Sequence, residues 1–361
     1  MKTYRIYLFL LPLLVFAACS KDWTEAERKD ITGLGFGLNP QTTKSAEYYE
    51  ALRSYKKSDH PVTFGWFGNW TGTGSSLANS LAGLPDSTDF VSLWGGWKNL
   101  NEAQKSDLKF VQTVKGTRCL AVFIVANLGD GLTPAPYNKT QDSTKLFWGW
   151  KDSDDGLIDQ AIEKYAGAIL DTINKYNLDG FDIDYEPNFG APGNLASYPA
   201  RMLKFVQVLG ARIGPKSGTG KLFVVDGEPQ SMPPQSGPYF DYFIVQAYAA
   251  SGDANLDSRL STTINNYKNV LTGEEVAKKY IVTENFESYA LNGGVSFTDR
   301  YGKKMQSLEG MARWTPVING KRVAKGGAGT YHMEYEYTVS GKPGTYPFLR
   351  QAMQIMNPPV R

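Results

Sequence analysis

Cysteine and histidine are almost missing from this chain, two of each in 361 residues. Cys19 falls in an N-terminal leader and Cys119 in an apolar run that reads as a strand, so no disulfide framework is expected. His60 and His332 are too few and too isolated for a zinc site, and no metal motif appears elsewhere. Neither a metal nor a cofactor is expected. Net charge is equally scant. Lysine and arginine total 38 against 36 aspartates and glutamates, and the surplus of +2 is matched by Lys2 and Arg5 of the leader. A neutral remainder offers no electrostatic case for nucleic acid as a partner. The glycine fingerprint of dinucleotide sites and the phosphate loop are absent too.

What is present begins with the leader. Residues 1–18 read as a secretory signal, with Lys2 and Arg5 ahead of an apolar run too short to anchor across a bilayer. Phe16-Ala17-Ala18-Cys19 resembles a bacterial lipobox, with phenylalanine where leucine is more usual. The resemblance implies cleavage before Cys19 and lipidation of its thiol. Asp22, Glu25 and Glu27 follow, similar to the acidic tether of surface-exposed lipoproteins. The expected location is therefore the outer membrane, on the cell surface, with acyl chains as the membrane contact. Residues 19–58 are expected to form a tether and N-terminal segment, with a possible helix over 45–55, and 59–361 the folded domain.

From Pro61 the pattern changes to strands alternating with helices. Strands are predicted at 62–66, 90–94, 119–125, 222–225, 243–248, 281–284 and 328–333, with one more at 177–187. Residues 157–176 carry apolar side chains at helical spacing, and further helices are predicted near 201–213, 260–271, 307–314 and 348–356. Alternation of this kind argues for α/β architecture with a parallel sheet, and eight units favour a single closed (β/α)₈ TIM barrel. The catalytic end of such a barrel is the carboxyl end of its strands. Two connections, 126–156 and 286–306, are long, as functional loops often are.

The fourth strand, NLDGFDIDYEP, carries the chemistry. Successive side chains of a strand point to opposite faces, so Asp182, Asp184 and Glu186 share one face and Phe181, Ile183 and Tyr185 the other. Neighbouring carboxyls in a site poor in water cannot all ionise freely, so at least one pKa should be raised. Asp179 has the opposite parity and reads as structural.

Asp179-Gly180-Phe181-Asp182-Ile183-Asp184-Tyr185-Glu186 fits the DGxDxDxE signature of glycoside hydrolase family 18, which the chain thereby resembles. The resemblance implies a (β/α)₈ barrel with the signature on strand four, where the count from Val62 also puts it. Gln246-Ala247-Tyr248 is similar to the family's tyrosine-bearing segment on strand six. The SxGG of many chitinases is replaced by Asn127-Leu128-Gly129, the strand-eight tryptophan is missing from the segment holding Tyr331, and no α+β insertion follows strand seven. These departures favour the endo-β-N-acetylglucosaminidase branch.

The roles that the resemblance implies are those of substrate-assisted hydrolysis. Glu186 would protonate the leaving oxygen and later deprotonate water. The 2-acetamido oxygen of the cleaved sugar would attack its own C1 to give an oxazolinium. Asp184 would orient the acetamide, Asp182 would tune Asp184, and Tyr248 would donate to the acetamido oxygen. Gln246, Trp66, Trp94, Trp97, Asn127, Trp148, Trp150, Glu284 and Tyr331 are the candidate substrate-binding residues, the tryptophans of loops being favoured for stacking on sugars. The expected partners are an N-glycan or other GlcNAc-containing oligosaccharide and the glycoproteins that carry it. A chitinase, or a non-catalytic glycan-binding protein on the same barrel, are the alternatives.

Overall fold

A computed structural model describes residues 42–358. Its strands are β1 (Val62–Phe67), β2 (Phe90–Trp94), β3 (Arg118–Ile124), β4 (Gly180–Tyr185), β5 (Leu222–Gly227), β6 (Tyr242–Val245), β7 (Tyr280–Asn285) and β8 (Gly327–Tyr331). Each pairs in parallel with the next in sequence, and β8 closes on β1, giving a (β/α)₈ barrel. Two short antiparallel ribbons, Ser296–Thr298 with Lys304–Gln306 and Val317–Ile318 with Lys321–Arg322, decorate the stretch between β7 and β8.

The period of two decides which side chains go where. Val62, Phe64 and Trp66 of β1, Leu120 and Val122 of β3, and Leu222 and Val224 of β5 fill the barrel interior. The alternate positions, among them Cys119, Ala121, Phe181, Ile183, Phe223 and Val225, join the larger layer under the helices. Buried on both faces, residues 119–122 of β3 read as part of an unbroken apolar run.

The helix Asp155–Lys175 starts where Asp154 accepts the Leu157 N–H, and it buries Ile158, Ala161, Ile162, Tyr165, Ala166, Ile169 and Ile173. Full burial of such aliphatic and aromatic side chains stabilises by about 1.5–3 kcal/mol each. Further helices stand where none is predicted, two of them α-helices ahead of β4. Glu102–Phe110 is announced by an Asn101–Gln104 capping box, and Gln141–Trp148, inside the long segment after β3, by Thr140 and Ser143.

Part of the expected tether is docked on the barrel. Helix Ala46–Tyr55 buries Tyr49 and Leu52. Arg53 donates to the Val114 carbonyl at 2.8 Å, and Lys56 to the Thr88 carbonyl at 2.6 Å, just ahead of β3 and β2. The helix thus covers the end of the barrel opposite the carboxyl ends. The folded domain begins by Ala46, earlier than residue 59, because tertiary packing holds a segment whose polarity reads as linker. Cys19 and the leader lie outside the described residues. No helix among the described residues is long and apolar enough to cross a membrane.

Candidate active site

β4 is built to lie against β5. Gly180 has φ +156, and a Cβ there would meet the Leu222 carbonyl oxygen at 2.0 Å, so any side chain would push the two strands apart. Asp179 accepts the Cys119 N–H at 2.8 Å and the Gln112 amide at 2.7 Å, tying down the strand's start. The register that results sets Asp184 opposite Asp226 of β5.

Asp182 lies at the bottom of the site, fully buried, with Ser92 of β2 donating to Oδ2 at 2.6 Å. Burial pushes its pKa up to about 7. Asp184 sits one pair higher, 4% exposed and open to the cleft. Burial first, then the charges of Glu186 and Asp182, push it up to about 8. Asp226 is 1% exposed, and burial with its two aspartate neighbours raises its pKa well above the carboxylate range.

Glu186 follows the last residue of β4. Gln246, just beyond β6, donates to Glu186 Oε1 at 2.7 Å and to Asp226 Oδ1 at 3.2 Å. Gly227 makes room for this arrangement, since a Cβ there would come within 2.9 Å of Glu186 Cγ. Tyr248 lies 6.1 Å, ring to ring, from Tyr331. Burial, and then the Asp226 charge, raise the Tyr248 phenol, which stays protonated and able to donate. Trp66 and Trp94 each meet Tyr331 edge-on, at 6.0 and 5.8 Å. All these side chains except Asp182 and Ser92 line a single cleft of about 760 Å³ at the carboxyl ends of the strands. A chemistry is available there: a carboxyl bonded to an amide, beside a buried carboxyl and a phenol, over an aromatic floor. Among the described residues no cluster of histidine, cysteine, aspartate and glutamate is arranged to hold a metal ion.

Five expected binding residues are elsewhere. Trp97 stacks on Phe123 at 5.3 Å in the layer under the helices. Trp148 donates to Thr133 Oγ1 at 2.9 Å and packs edge-on to Tyr165, and Trp150 donates to Asp152 at 2.8 Å beneath the Arg201 guanidinium. A loop position says nothing about which way a ring turns, and these three turn inward. Asn127 accepts the Asn194 N–H at 3.0 Å and so staples the loop after β4. Glu284 shares the parity of Val282, which faces the helices. It accepts the Ala249 N–H at 2.9 Å and the Ser307 hydroxyl outside the barrel. Trp148→Ala should accordingly lower stability by about 3–5 kcal/mol, as deletion of a buried aromatic does. Urea unfolding reads the loss, and KM should stay unchanged. A KM rise without destabilisation would return Trp148 to the binding site.

The cleft also holds residues that sequence reasoning does not single out. Asp226, Glu228 and Gln230 come from the end of β5, Arg259 and Thr262 from the helix Asp253–Tyr267, and Asn285 and Glu287 from the end of β7. Phe189, 80% exposed, stands at the rim after β4. A signal for Asp226 is present: Leu222, Val224 and Asp226 alternate, and Asp-x-Glu-Pro occurs both at 184–187 and at 226–229.

Comparison with known proteins agrees with this fold. The family model described as "Glycoside hydrolase family 18, BT1044-like" matches residues 24–355. The chain is 28% identical over 367 residues to endo-beta-N-acetylglucosaminidase F2 of Elizabethkingia meningoseptica, covering 96% of each protein. A solved structure of a glutamate-to-glutamine variant of BT1044 is 37% identical, with TM-score 0.75, covering 88% of this chain and 94% of that one. An endo-beta-N-acetylglucosaminidase of Cordyceps militaris shares the fold at 21% identity, with TM-score 0.60 over 88% of this chain and 98% of its own.

Proposed function

The chain belongs to glycoside hydrolase family 18 and is a glycoside hydrolase; from that premise we propose that it is an endo-β-N-acetylglucosaminidase. It would cut the GlcNAc-β1,4-GlcNAc core of N-glycans on glycoproteins, with retention, through an oxazolinium formed by the substrate's own acetamide. The observation that carries this reading is the stacking of Asp184 and Glu186 along one side of the cleft with Gln246 and Tyr248 beside them. Glu186 is the general acid and then the general base. Gln246 fixes the Glu186 carboxyl from just beyond β6, two strands away, so that its second oxygen is left for the leaving group. Asp184 accepts the acetamide N–H and offsets the positive charge that grows on that nitrogen. The Tyr248 hydroxyl donates to the acetamido oxygen, and Trp66, Trp94 and Tyr331 provide apolar surface under the sugar.

The preference for N-glycans over chitin is supported by the likeness, over 96% of its length, to a relative that bears the endo-beta-N-acetylglucosaminidase name. Incubation with a high-mannose N-glycoprotein and, separately, with chitin oligomers tests it. Glycan with a single reducing-end GlcNAc should be released from the glycoprotein, with the β-anomer formed first by proton NMR. Cleavage of chitin oligomers alone would make the enzyme a chitinase. An initial α-anomer would exclude the substrate-assisted route, and binding without release would favour a glycan-binding protein.

A further inference from the structure

Beneath the cleft, three buried carboxyls each keep one oxygen that no donor of the protein reaches: Asp182 Oδ1, Asp184 Oδ1 and Asp226 Oδ2. Ser92 is engaged with Asp182 Oδ2 and Gln246 with Glu186 and Asp226 Oδ1, so neither serves these three oxygens. Buried oxygens left in this state are costly. Carboxyls in contact satisfy one another once one of them carries a proton, because a protonated carboxyl gains an O–H donor. Asp226 is the member that touches both others. It pairs with Asp184 across β4 and β5, and it lies within hydrogen-bonding reach of Asp182 and Asp184 alike. With almost no exposure and two carboxyls beside it whose ionisation would repel its own, Asp226 is also the member least able to ionise.

We propose that Asp226 is a positioning residue for the hydrolysis, acting as a neutral acid whose O–H serves the buried oxygens of Asp182 and Asp184. That hydrogen bond lowers the cost of ionising Asp184 and holds its carboxyl with one edge toward the sugar's acetamide. Gln246 joins the two halves of the site, since its amide bonds Asp226 on one side and Glu186 on the other. The proposal rests on the reading of Asp184 as the acetamide's partner. No proton need leave Asp226 during turnover.

Asparagine keeps a neutral donor at this position and alanine does not, so the pair of variants separates a neutral acid from a carboxylate. Asp226→Ala should lose about 10²–10³ in kcat, the range seen when a preorganised donor is removed, with KM changed by less than about threefold. Asp226→Asn should recover at least about tenfold of that loss. The substrate is whichever of the N-glycoprotein and the chitin oligomers the wild-type enzyme cleaves. A second measurement needs no substrate. The infrared difference between wild type and Asp226→Asn at pH 7 should show a carboxylic-acid C=O band present in the wild type and lost in the variant. An asparagine variant as poor as alanine, an alanine variant as active as wild type, or loss of a carboxylate band instead would each overturn the proposal. Absence of any glycan release by the wild type would count against the proposed function while the infrared result still decided the state of Asp226.

Discussion

Glu186→Gln should yield a folded protein that binds its glycan normally and turns it over at least 10²–10⁴-fold more slowly, the usual contribution of a positioned acid–base group. Glutamine matches the shape of glutamate, and its amide oxygen can still accept from the Gln246 amide, which reaches Glu186 Oε1 at 2.7 Å. Gly227 leaves the same space for it. What the amide cannot do is surrender a proton to the glycosidic oxygen or take one from water. The loss should therefore fall on kcat, with dissociation of an uncleaved glycopeptide, read by calorimetry, unchanged within about threefold, as expected when ground-state contacts survive. Near-normal turnover would remove Glu186 from the chemistry.

Asp184→Asn should separate activity from stability, lowering one and raising the other. In the proposed mechanism Asp184 offsets the charge growing on the acetamide nitrogen, and a neutral amide cannot. A loss of about 10²–10³ in kcat follows by analogy with removal of a single preorganised electrostatic contact. Stability moves the opposite way. Because the folded-state pKa of Asp184 is raised from 3.8 to about 8, the folded protein holds this proton more tightly than the unfolded chain. The associated stability is complete below pH 4 and is lost as pH rises toward 8. Asparagine has no proton to lose. Its advantage over wild type should thus be small at pH 5 and grow to about 1–3 kcal/mol by pH 8. Each tenfold in proton affinity is worth about 1.4 kcal/mol, and the charge is shared among three carboxyls. Denaturant unfolding at the two pH values measures the difference. A variant less stable than wild type at pH 8 would show that Asp184 is held as a satisfied anion.

The two outcomes belong together. A buried group of carboxyls gives the fold nothing that apolar side chains would not give more readily, and the strands on either side fill the barrel with leucine, valine and isoleucine. Sites kept for chemistry are commonly stabilised by substitutions that abolish it. Asp182, Asp184 and Asp226 occupy positions where the alternation of β4 and β5 would otherwise place core residues.

Much of this is legible in the chain itself, and the limit of legibility is physical. Strand parity is a local property, so the inward face of Asp182, Asp184 and Glu186 can be read from eleven consecutive letters. The eight alternating units suffice for a barrel, and the signature on the fourth for the family. Strand ends are less readable. Residues 246–248 are expected within β6, but the strand stops at Val245 and the chain bends, with Ala249 at φ 56, so Gln246 and Tyr248 sit at the mouth. Where the chain leaves a strand, periodicity no longer tells a side chain's direction. Trp97, Trp148 and Trp150 therefore read as rim residues and are core.

The sequence alone determined the barrel, the family and the inward carboxyls of β4, because hydrophobic alternation and backbone geometry act over a few residues. Only the tertiary structure decided that Asp226 completes the carboxyl group, that Gln246 holds Glu186, and that the tether's helix closes the far end. Those depend on which strands become neighbours when the barrel closes. Gly68 and Glu334, 266 residues apart, are bonded at 3.0 Å across that closure. Contacts of this range carry no local periodicity, and only the folded chain makes them.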